Sequence, residues 1–438
     1  LEFAEEIQSI SPAAEKLRFC ASGTEANMYC QRVARGYKGR NKILKFEGAY
    51  HGADETGVTS LFPKQMLDYP TPEPTSAGVL DIDKLLLVAP YNNLLAAQEI
   101  IEKHKNDIAA VIVEPLQRCI PPEKGFLEGL RKICTTNNLL LIFDEVVTGF
   151  RLAYGGAQEY YGVVPDLIAY GKAMGGGYPI GAFGGRKDIM EMVNEQRIGG
   201  DNYVWMASTL GGNPISSSAG LAALSVYRQP KTYDRLHQLG KYLRDGMRKV
   251  LSLRQLKGQI IGDGPLGQVV FTEEPAINYR AINKGNKELA RKVLLSLYRK
   301  GVFLNPMSTK LYMSIAHDEG IIDNFLEDDA SKTLLNNFKE IEKWDRVDQV
   351  RNHYEKGGPF EMNSAYFPNH DEEYYLQGWR AKDYEVSELW MKYFNEKFLK
   401  KISDLFEKRV QRDTTYILKY SKNDFSRIHV DDLRGDVD

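Results

Sequence analysis

In the first half of the chain the hydrophobic positions fall into short, nearly continuous runs. These runs are "KILKF" at 42–46, "IAAVIVEP" at 108–115, "LLLIFDEVV" at 139–147, "DLIAYG" at 166–171 and "GAFGG" at 181–185. Helix-like stretches separate several of them, as at 24–37 and 126–137. Apolar strands joined by helical crossovers are typical of a mainly parallel sheet that is buried on both faces. The pattern therefore predicts an α/β fold.

The pattern changes from about Tyr227 onward. Amphipathic helices there surround the short apolar runs "GQVVFTE" at 267–273 and "GVFLNP" at 301–306, which is typical of a smaller α+β unit. After about Glu342 the chain is charged and aromatic, and no buried strand is obvious before "TTYILKY" at 414–420. We therefore predict three parts: a large domain at 1–226, a small α+β domain at 227–342, and an extension or the start of an incomplete second module at 343–438.

The composition of the chain limits the kinds of binding partner that we expect. The 438 residues carry a formal net charge of -2, which gives no reason to expect a nucleic-acid or membrane surface. No apolar run approaches the roughly 18 residues of a membrane span. The four cysteines lack metal-site spacing and are too few for a disulfide framework, so we expect reduced thiols, a cytoplasmic location and no metal site. The chain begins with Leu1 rather than Met, and we expect its amino terminus to be incomplete.

The segment "FCASGTEAN" at 19–27 predicts a capped helix start. Ser22 is suited to cap the helix, and Glu25, three residues later, completes a capping box. Gly23 permits close approach of a ligand to the backbone, and Thr24 adds a hydroxyl. Free N–H groups and hydroxyls at a helix start suit a phosphate, although an ordinary capped helix has the same pattern.

Three charged residues follow predicted strands. Asp144 follows "LLLIF", Glu114 ends "AAVIVE", and Lys172 follows "DLIAYG" and precedes three glycines. Ligands of parallel sheets bind beyond the carboxyl ends of the strands, so these side chains are expected at one rim, although each also fits a turn or surface role. A nucleophilic amine, a carboxylate for a ring nitrogen and a phosphate-binding helix start together suggest pyridoxal phosphate.

Longer motifs carry a family resemblance. They are "RFCASGTEAN", "KFEGAYHG", "VIVEP", "GFLEGLRKIC", "LLIFDEVVTGFRLAYGGAQEYYGVVPDLIAYGKAMGGGYPIGAFGG" and "ASTLGGNP". In this order the chain resembles the class III pyridoxal-phosphate aminotransferases of fold type I over roughly positions 1 to 330, and it looks closest to the glutamate-1-semialdehyde aminomutase branch. The resemblance implies a large domain with a mainly parallel seven-stranded sheet and a smaller α+β domain.

The resemblance also implies roles for single residues. Lys172 matches the lysine that forms the Schiff base with pyridoxal 5'-phosphate and shuttles a proton, and Asp144 matches the partner of the pyridine nitrogen. Thr209 matches a phosphate ligand supplied across a subunit interface, which implies a homodimer with shared active sites. The other matching positions are the phosphate-binding Ser22, Gly23 and Thr24, the ring-stacking Val146 and Tyr50, and the pocket residues His51 and Glu114.

The chain departs from the family pattern in two places. Relatives usually carry a long further segment before the position of Leu1. The aminomutase branch commonly has a glycine-asparagine pair after "EP", where this chain has Gln117 and Arg118. Arg118 is suited to bind a substrate carboxylate, and a solvated arginine fits equally well. Arg151 matches a feature of the branch and is similarly ambiguous.

These observations predict an enzyme that transfers an amino group from a small-molecule amino donor to a carbonyl acceptor. Because Gln117 and Arg118 depart from the aminomutase pattern, an intramolecular aminomutase is the alternative within the enzymes. A cofactor-binding module without activity is the alternative from another class of protein.

Overall fold

The structure, a computed structural model, describes residues 1–80, 82–200, 203–299, 302 and 309–326. Its strands are β1 Lys16–Cys20, β2 Lys42–Phe46, β3 Leu86–Ala89, β4 Ile108–Val113, β5 Leu140–Asp144, β6 Leu167–Tyr170, β7 Gly181–Gly185, β8 Gln259–Ile261, β9 Leu266–Val270 and β10 Lys310–Tyr312. The strands and helices predicted before residue 200 all form, with bounds shifted by a few residues at most. The predicted strand at 301–306 lies outside the described residues apart from Val302.

The helices connect the strands and flank them. They are α1 Glu2–Ile10, α2 Gly23–Lys38, α3 Glu55–Val58, α4 Leu94–His104, α5 Phe126–Thr136, α6 Ala157–Tyr161, α7 Lys187–Met190, α8 Pro214–Tyr227, α9 Thr232–Leu253, α10 Tyr279–Asn283, α11 Lys287–Arg299 and α12 Glu319–Leu326. Short 3-10 turns occur as well, and one of them, Lys172–Gly175, directly follows β6.

Seven strands form one sheet in the order β1-β7-β6-β5-β4-β2-β3. The pairs from β3 to β6 are parallel, whereas β7 runs antiparallel to both β6 and β1. Together with the antiparallel sheet β10-β9-β8, this confirms the predicted α/β class with a mainly parallel seven-stranded sheet. The strands β1 and β3 were not expected from the apolar runs.

Both faces of the large sheet are covered, which explains its continuous apolar runs. In β4, Val111 and Val113 face a core shared with α4 and α5, while Ala110 and Ile112 face a second core shared with α2. Every residue of β4 to β7 is buried. Polar side chains are therefore accommodated where strands end, and the carboxyl ends of β4, β5 and β6 lie along the same rim.

The chain divides into two compact units, one of Leu1–Ala290 with Met307–Leu326 and one of Arg291–Pro306 with Glu327–Asp438. Within the first unit, β8 to β10 form the small sheet, and α9 packs against β8 and β9. The predicted domain boundaries at 226 and 342 stay predictions, and the predicted extension at 343–438 lies outside the described residues.

Two glycines of α9 offer a matched test of this packing. A methyl group on Gly240 would lie 2.1 Å from the backbone oxygen of Gly264, whereas one on Gly246 would meet only the flexible end of Leu326 at 2.2 Å. Gly240→Ala should lower the free energy of unfolding by about 1–3 kcal/mol, because backbone cannot move aside as a side chain does. Gly246→Ala should cost less or stabilise, since alanine favours helix. Denaturant titration of both variants measures this, and an equal effect would contradict the close approach at Gly240.

Candidate active site

Asp144 lies at the end of β5 and is 4% exposed. Its Oδ2 accepts hydrogen bonds from Asn27 Nδ2 and from His51 Nδ1, both at 2.8 Å, and its Oδ1 accepts one from the Val146 N–H at 3.0 Å. An ionised carboxylate has about four acceptor positions, so Asp144 retains capacity for a further N–H donor. The carboxylate is thus fixed in orientation and available to a ligand.

The start of α2 lies beside this carboxylate. Ser22 caps the helix and accepts the Glu25 N–H at 3.2 Å, as predicted. Glu25 reaches back to the N–H of Ala21 at 3.0 Å, one residue before the cap, and also accepts a hydrogen bond from Ser208. The N–H groups of Gly23 and Thr24 have no acceptor in the described part of the chain, so they are available to an anion at the positive end of the helix.

Val146 connects the helix start to the loop that carries Lys172. A methyl group on Gly23 would lie 2.7 Å from a Val146 methyl, and one on Gly171 would lie 3.2 Å from it. A side chain at position 23 would thus overlap Val146, and one at position 171 would press tightly against it, so glycine at both positions lets the strand ends and the helix start meet. Val146 is 8% exposed and packs in the apolar core on the α2 side of the sheet.

Lys172 begins the 3-10 turn after β6 with a φ of 47°, in the left-handed region. The side chain is exposed overall, yet partial desolvation of its amine lowers its pKa, and the positive charges of Arg151 and Arg118 lower it further, while Asp144 and Glu114 oppose the shift. A lowered pKa leaves more of the amine unprotonated and nucleophilic at neutral pH. The electrostatic contribution of Asp144 places the two main predicted residues at one site.

Glu114 and Tyr50 line the same rim. Glu114, buried at the end of β4, accepts the Tyr50 N–H at 2.7 Å through one oxygen and the Arg118 N–H at 2.8 Å through the other. The guanidinium of Arg118 lies 5.8 Å from the centre of the Tyr50 ring. His51, 1% exposed, leaves its Nε2 without a partner in the described structure.

Two residues of the site were not predicted from the sequence. Asn27 lies one helical turn after Gly23 on α2, so helical spacing alone places it on the same side as the cap. Lys45, within the apolar run of β2, is fully buried and donates to the carbonyl oxygens of Thr56, Gly57 and Thr59 at 3.2, 3.0 and 2.7 Å. It thereby anchors the segment that follows His51. A lysine inside a strand of buried residues was the available signal.

Thr209 is exposed, and its neighbour Ser208 contacts Glu25 of the helix start at 2.8 Å. Its predicted role across a subunit interface stays a prediction. The structure thus brings Ser22, Gly23, Thr24, Tyr50, His51, Glu114, Asp144, Val146 and Lys172 to one rim of the sheet, and the segment of Thr209 borders it.

The chain is similar in sequence to proteins of known family. The family profile "Aminotransferase class-III" matches residues 1–319. The chain belongs to the class-III aminotransferase family. The glutamate-1-semialdehyde 2,1-aminomutase of Natranaerobius thermophilus is 38% identical over 338 residues, which are 74% of this chain and 75% of that protein. Further proteins of that name are 38–40% identical.

Solved structures agree with this membership. An omega-transaminase from Sphaerobacter thermophilus superposes with a TM-score of 0.70 at 33% identity, covering 76% of this chain and 77% of the other. A transaminase with PLP bound superposes with a TM-score of 0.68 at 28% identity, covering 77% of each chain. The predicted family, fold type, enzyme class and cofactor are confirmed.

The residues present fit pyridoxal 5'-phosphate. Gly23 and Gly171 let the helix start and the loop before Lys172 approach Val146 closely, and the N–H groups of Gly23 and Thr24 are available for a phosphate. Asp144 has acceptor capacity for a ring N–H. No group of three or more His, Cys, Asp or Glu side chains suited to a metal occurs in the described ranges, and no helix in them is long and apolar enough to cross a membrane.

Lys45 gives a pH-dependent test of the site's scaffold. Burial lowers its pKa from 10.5 to about 7 in the folded chain. Between these values the unfolded chain holds one more proton, so the free energy of unfolding rises with pH, by at most about 1.4 kcal/mol per pH unit. Chemical denaturation of the apoprotein at about pH 7 and about pH 9 should therefore show a larger rise for the unsubstituted chain than for Lys45→Met. Equal rises would contradict the lowered pKa.

Proposed function

We propose that this chain moves an amino group within one substrate molecule, as the glutamate-1-semialdehyde 2,1-aminomutases do by name. The observation that carries the proposal is the convergence of Lys172, Asp144 and the α2 start at one rim, in a chain 38–40% identical to aminomutases over about three quarters of its length. These relatives favour the intramolecular alternative over the intermolecular transfer first expected from the sequence.

Bound pyridoxal phosphate supplies an electrophilic carbon and a ring that accepts electrons. In our proposal Lys172 holds the cofactor through its amine and moves a proton at the substrate carbon, which its lowered pKa favours. Asp144 accepts the ring N–H, and the hydrogen bonds from Asn27 and His51 keep its carboxylate in position.

The remaining predicted residues bind and orient the cofactor in this proposal. Ser22, Gly23 and Thr24 hold the phosphate at the positive end of α2. Val146 and Tyr50 cover the two ring faces and exclude water from them. His51 and Glu114 form the pocket wall, and Glu114 fixes the backbone of Tyr50 by its 2.7 Å hydrogen bond.

Intermolecular transamination is the second candidate. The solved structures at 33% and 28% identity are named transaminases, and the turn after "EP", which contains Gln117 and Arg118, lacks the glycine-asparagine pair expected of the aminomutase branch. Gln117 in this turn is fully buried and donates to the Glu47 oxygen, whereas the half-buried Arg118 lies beside the Tyr50 ring.

The two candidates differ in what they need for repeated turnover. Given glutamate 1-semialdehyde alone, the cofactor-loaded protein should convert many equivalents to the isomer with the amino group on carbon 1 and the carbonyl on carbon 2, detectable by NMR. Stoichiometric keto-product release from an amino donor, with no isomer, would favour the transaminase. Bound cofactor whose visible absorption band is unchanged by every amine would favour a binding module without activity.

Lys172→Ala tests the central assignment. Borohydride reduction should attach the cofactor covalently to the unsubstituted chain, and mass spectrometry should locate it on Lys172. The variant should lose both this attachment and turnover while retaining some non-covalent cofactor, because the phosphate and ring contacts remain. The exposed Lys64→Ala control should behave as the unsubstituted chain does. A trapped cofactor in the Lys172 variant would assign the anchor to another lysine.

We also propose a homodimer in which Thr209 supplies its hydroxyl to the partner's cofactor phosphate. The exposure of Thr209 and of Trp205 and Leu210 in the same segment supports a surface covered in the assembly. A hydrogen bond to a charged group contributes about 1.5–3 kcal/mol, so Thr209→Ala should weaken cofactor binding roughly ten-fold or more. Sedimentation should show that cofactor strengthens dimerisation. A monomer that binds cofactor at full affinity would contradict the shared site.

A further inference from the structure

Two arginines at the rim have no carboxylate partner among the described residues. Arg118 and Arg151 are half-buried, and neither side chain makes a salt bridge or a hydrogen bond in the described part of the chain. Arginine in folded proteins ordinarily has an acidic partner when it leaves water, because an unpaired, partly desolvated charge costs free energy. Both guanidinium groups are therefore available to an anionic ligand.

The backbone of Arg118 is held in an unfavourable conformation. Its φ of 62° is in the left-handed region, inside a turn closed by the Ile120 N–H and the Gln117 oxygen at 2.8 Å. For a residue with a Cβ this conformation costs roughly 1–2 kcal/mol relative to glycine. Glu114 stabilises it by accepting the Arg118 N–H at 2.8 Å. A glycine would suit the turn better, so the arginine serves something other than the fold.

Aromatic rings position both guanidinium groups. Arg118 lies 5.8 Å from the centres of the Tyr50 and Phe62 rings, and Arg151 lies 5.2 Å from the centre of the Tyr312 ring. Cation–π contact uses the face of the guanidinium and leaves its N–H edge available for two parallel hydrogen bonds to a carboxylate. The rings therefore hold both guanidinium groups in position while their N–H donors remain available.

Both arginines act on the same part of the site. Burial has the larger effect on the pKa of Lys172, Cys119 and Tyr312, and the positive charge of each arginine lowers it. The two arginines follow β4 and β5, and β5 lies between β4 and β6, the strand that the Lys172 loop follows. Burial lowers the pKa of Arg151, so its charge is held at a cost that a bound anion offsets. Of the acidic groups at this rim, Glu114 and Asp144 are already engaged by the backbone and side-chain donors described above.

We propose that Arg118, assisted by Arg151, binds a carboxylate of the substrate, so that the pocket selects amino acids over simple amines. The inference rests on the proposed function only in taking this pocket as the substrate pocket, and it holds for either the aminomutase or the transaminase. Arg118 is thus a specificity-determining residue in the turn after Glu114.

A non-reacting probe separates this inference from the proposed function. Glutarate has the five-carbon skeleton with two carboxylates, and glutaramide is its neutral counterpart. Calorimetry on the cofactor-loaded protein should detect glutarate binding and at least ten-fold weaker glutaramide binding. Undetectable glutarate binding, or equal binding of both probes, overturns the inference whatever the catalytic assays show.

Arg118→Gly separates binding from folding. Glutarate should bind at least ten-fold more weakly, while the melting temperature should stay the same or rise, because glycine adopts the positive φ without strain. Arg118→Lys, which keeps the charge and loses the planar fork, should restore part of the affinity. Arg248→Gln, an exposed arginine on α9, should leave the affinity unchanged. Unchanged glutarate affinity in Arg118→Gly, whatever its melting temperature, contradicts the inference.

Discussion

The carboxylate of Asp144 is the contact on which the site depends. Its hydrogen bonds join the end of β5, the first turns of α2 through Asn27, and the segment after β2 through His51. These elements are distant in sequence and converge only because β2, β4 and β5 are neighbours in the sheet. A buried carboxylate costs free energy unless it is hydrogen-bonded. Removing Asn27 or His51 would therefore leave the buried carboxylate of Asp144 with one donor fewer.

Two further buried charged side chains, Lys45 and Glu145, fix other loops of the same sheet. Lys45 donates to three carbonyl oxygens, two within α3 and one directly after it, and Glu145 accepts the N–H groups of Ala157 and Gln158 at 2.6 and 3.0 Å. Burial raises the pKa of Glu145 to about 7, opposite in direction to the change at Lys45. Each charged group satisfies backbone atoms at the end of a short helix, which rigidifies the loops on either side of Asp144.

The sequence predicts those features of the structure that are encoded within one short segment of the chain. Apolar runs and the Ser22 cap are local patterns, so β2, β4 to β7 and the start of α2 were predicted from them. β1, "KLRFC", is polar and partly exposed at a sheet edge, and it forms because it pairs with β7, which no local pattern reveals. Asn27 acquires its role from Asp144, far along the chain, which the folded structure identifies, whereas the partners of Lys45 lie 11 to 14 residues on and a lysine within an apolar strand was its only local signal. The role of Lys172 was suggested by its position between a predicted strand and three glycines and made specific by motif resemblance, whereas the role of Thr209 came from resemblance alone.

Backbone strain at the rim has a consistent distribution. Arg118, Phe150 and Lys172 all have positive φ values, of 62°, 56° and 47°, although none is glycine. Each one lies in a loop that leaves the carboxyl end of β4, β5 or β6, next to the buried acids. Strained residues persist only where the surroundings fix them, as Glu114 fixes Arg118 and as the Thr148 oxygen holds the N–H of Arg151 at 3.1 Å. The rigid sheet therefore supports the strained conformations of the loops that carry Lys172, Arg118 and Arg151, so charged residues gather in the loops at this rim while the strands remain apolar.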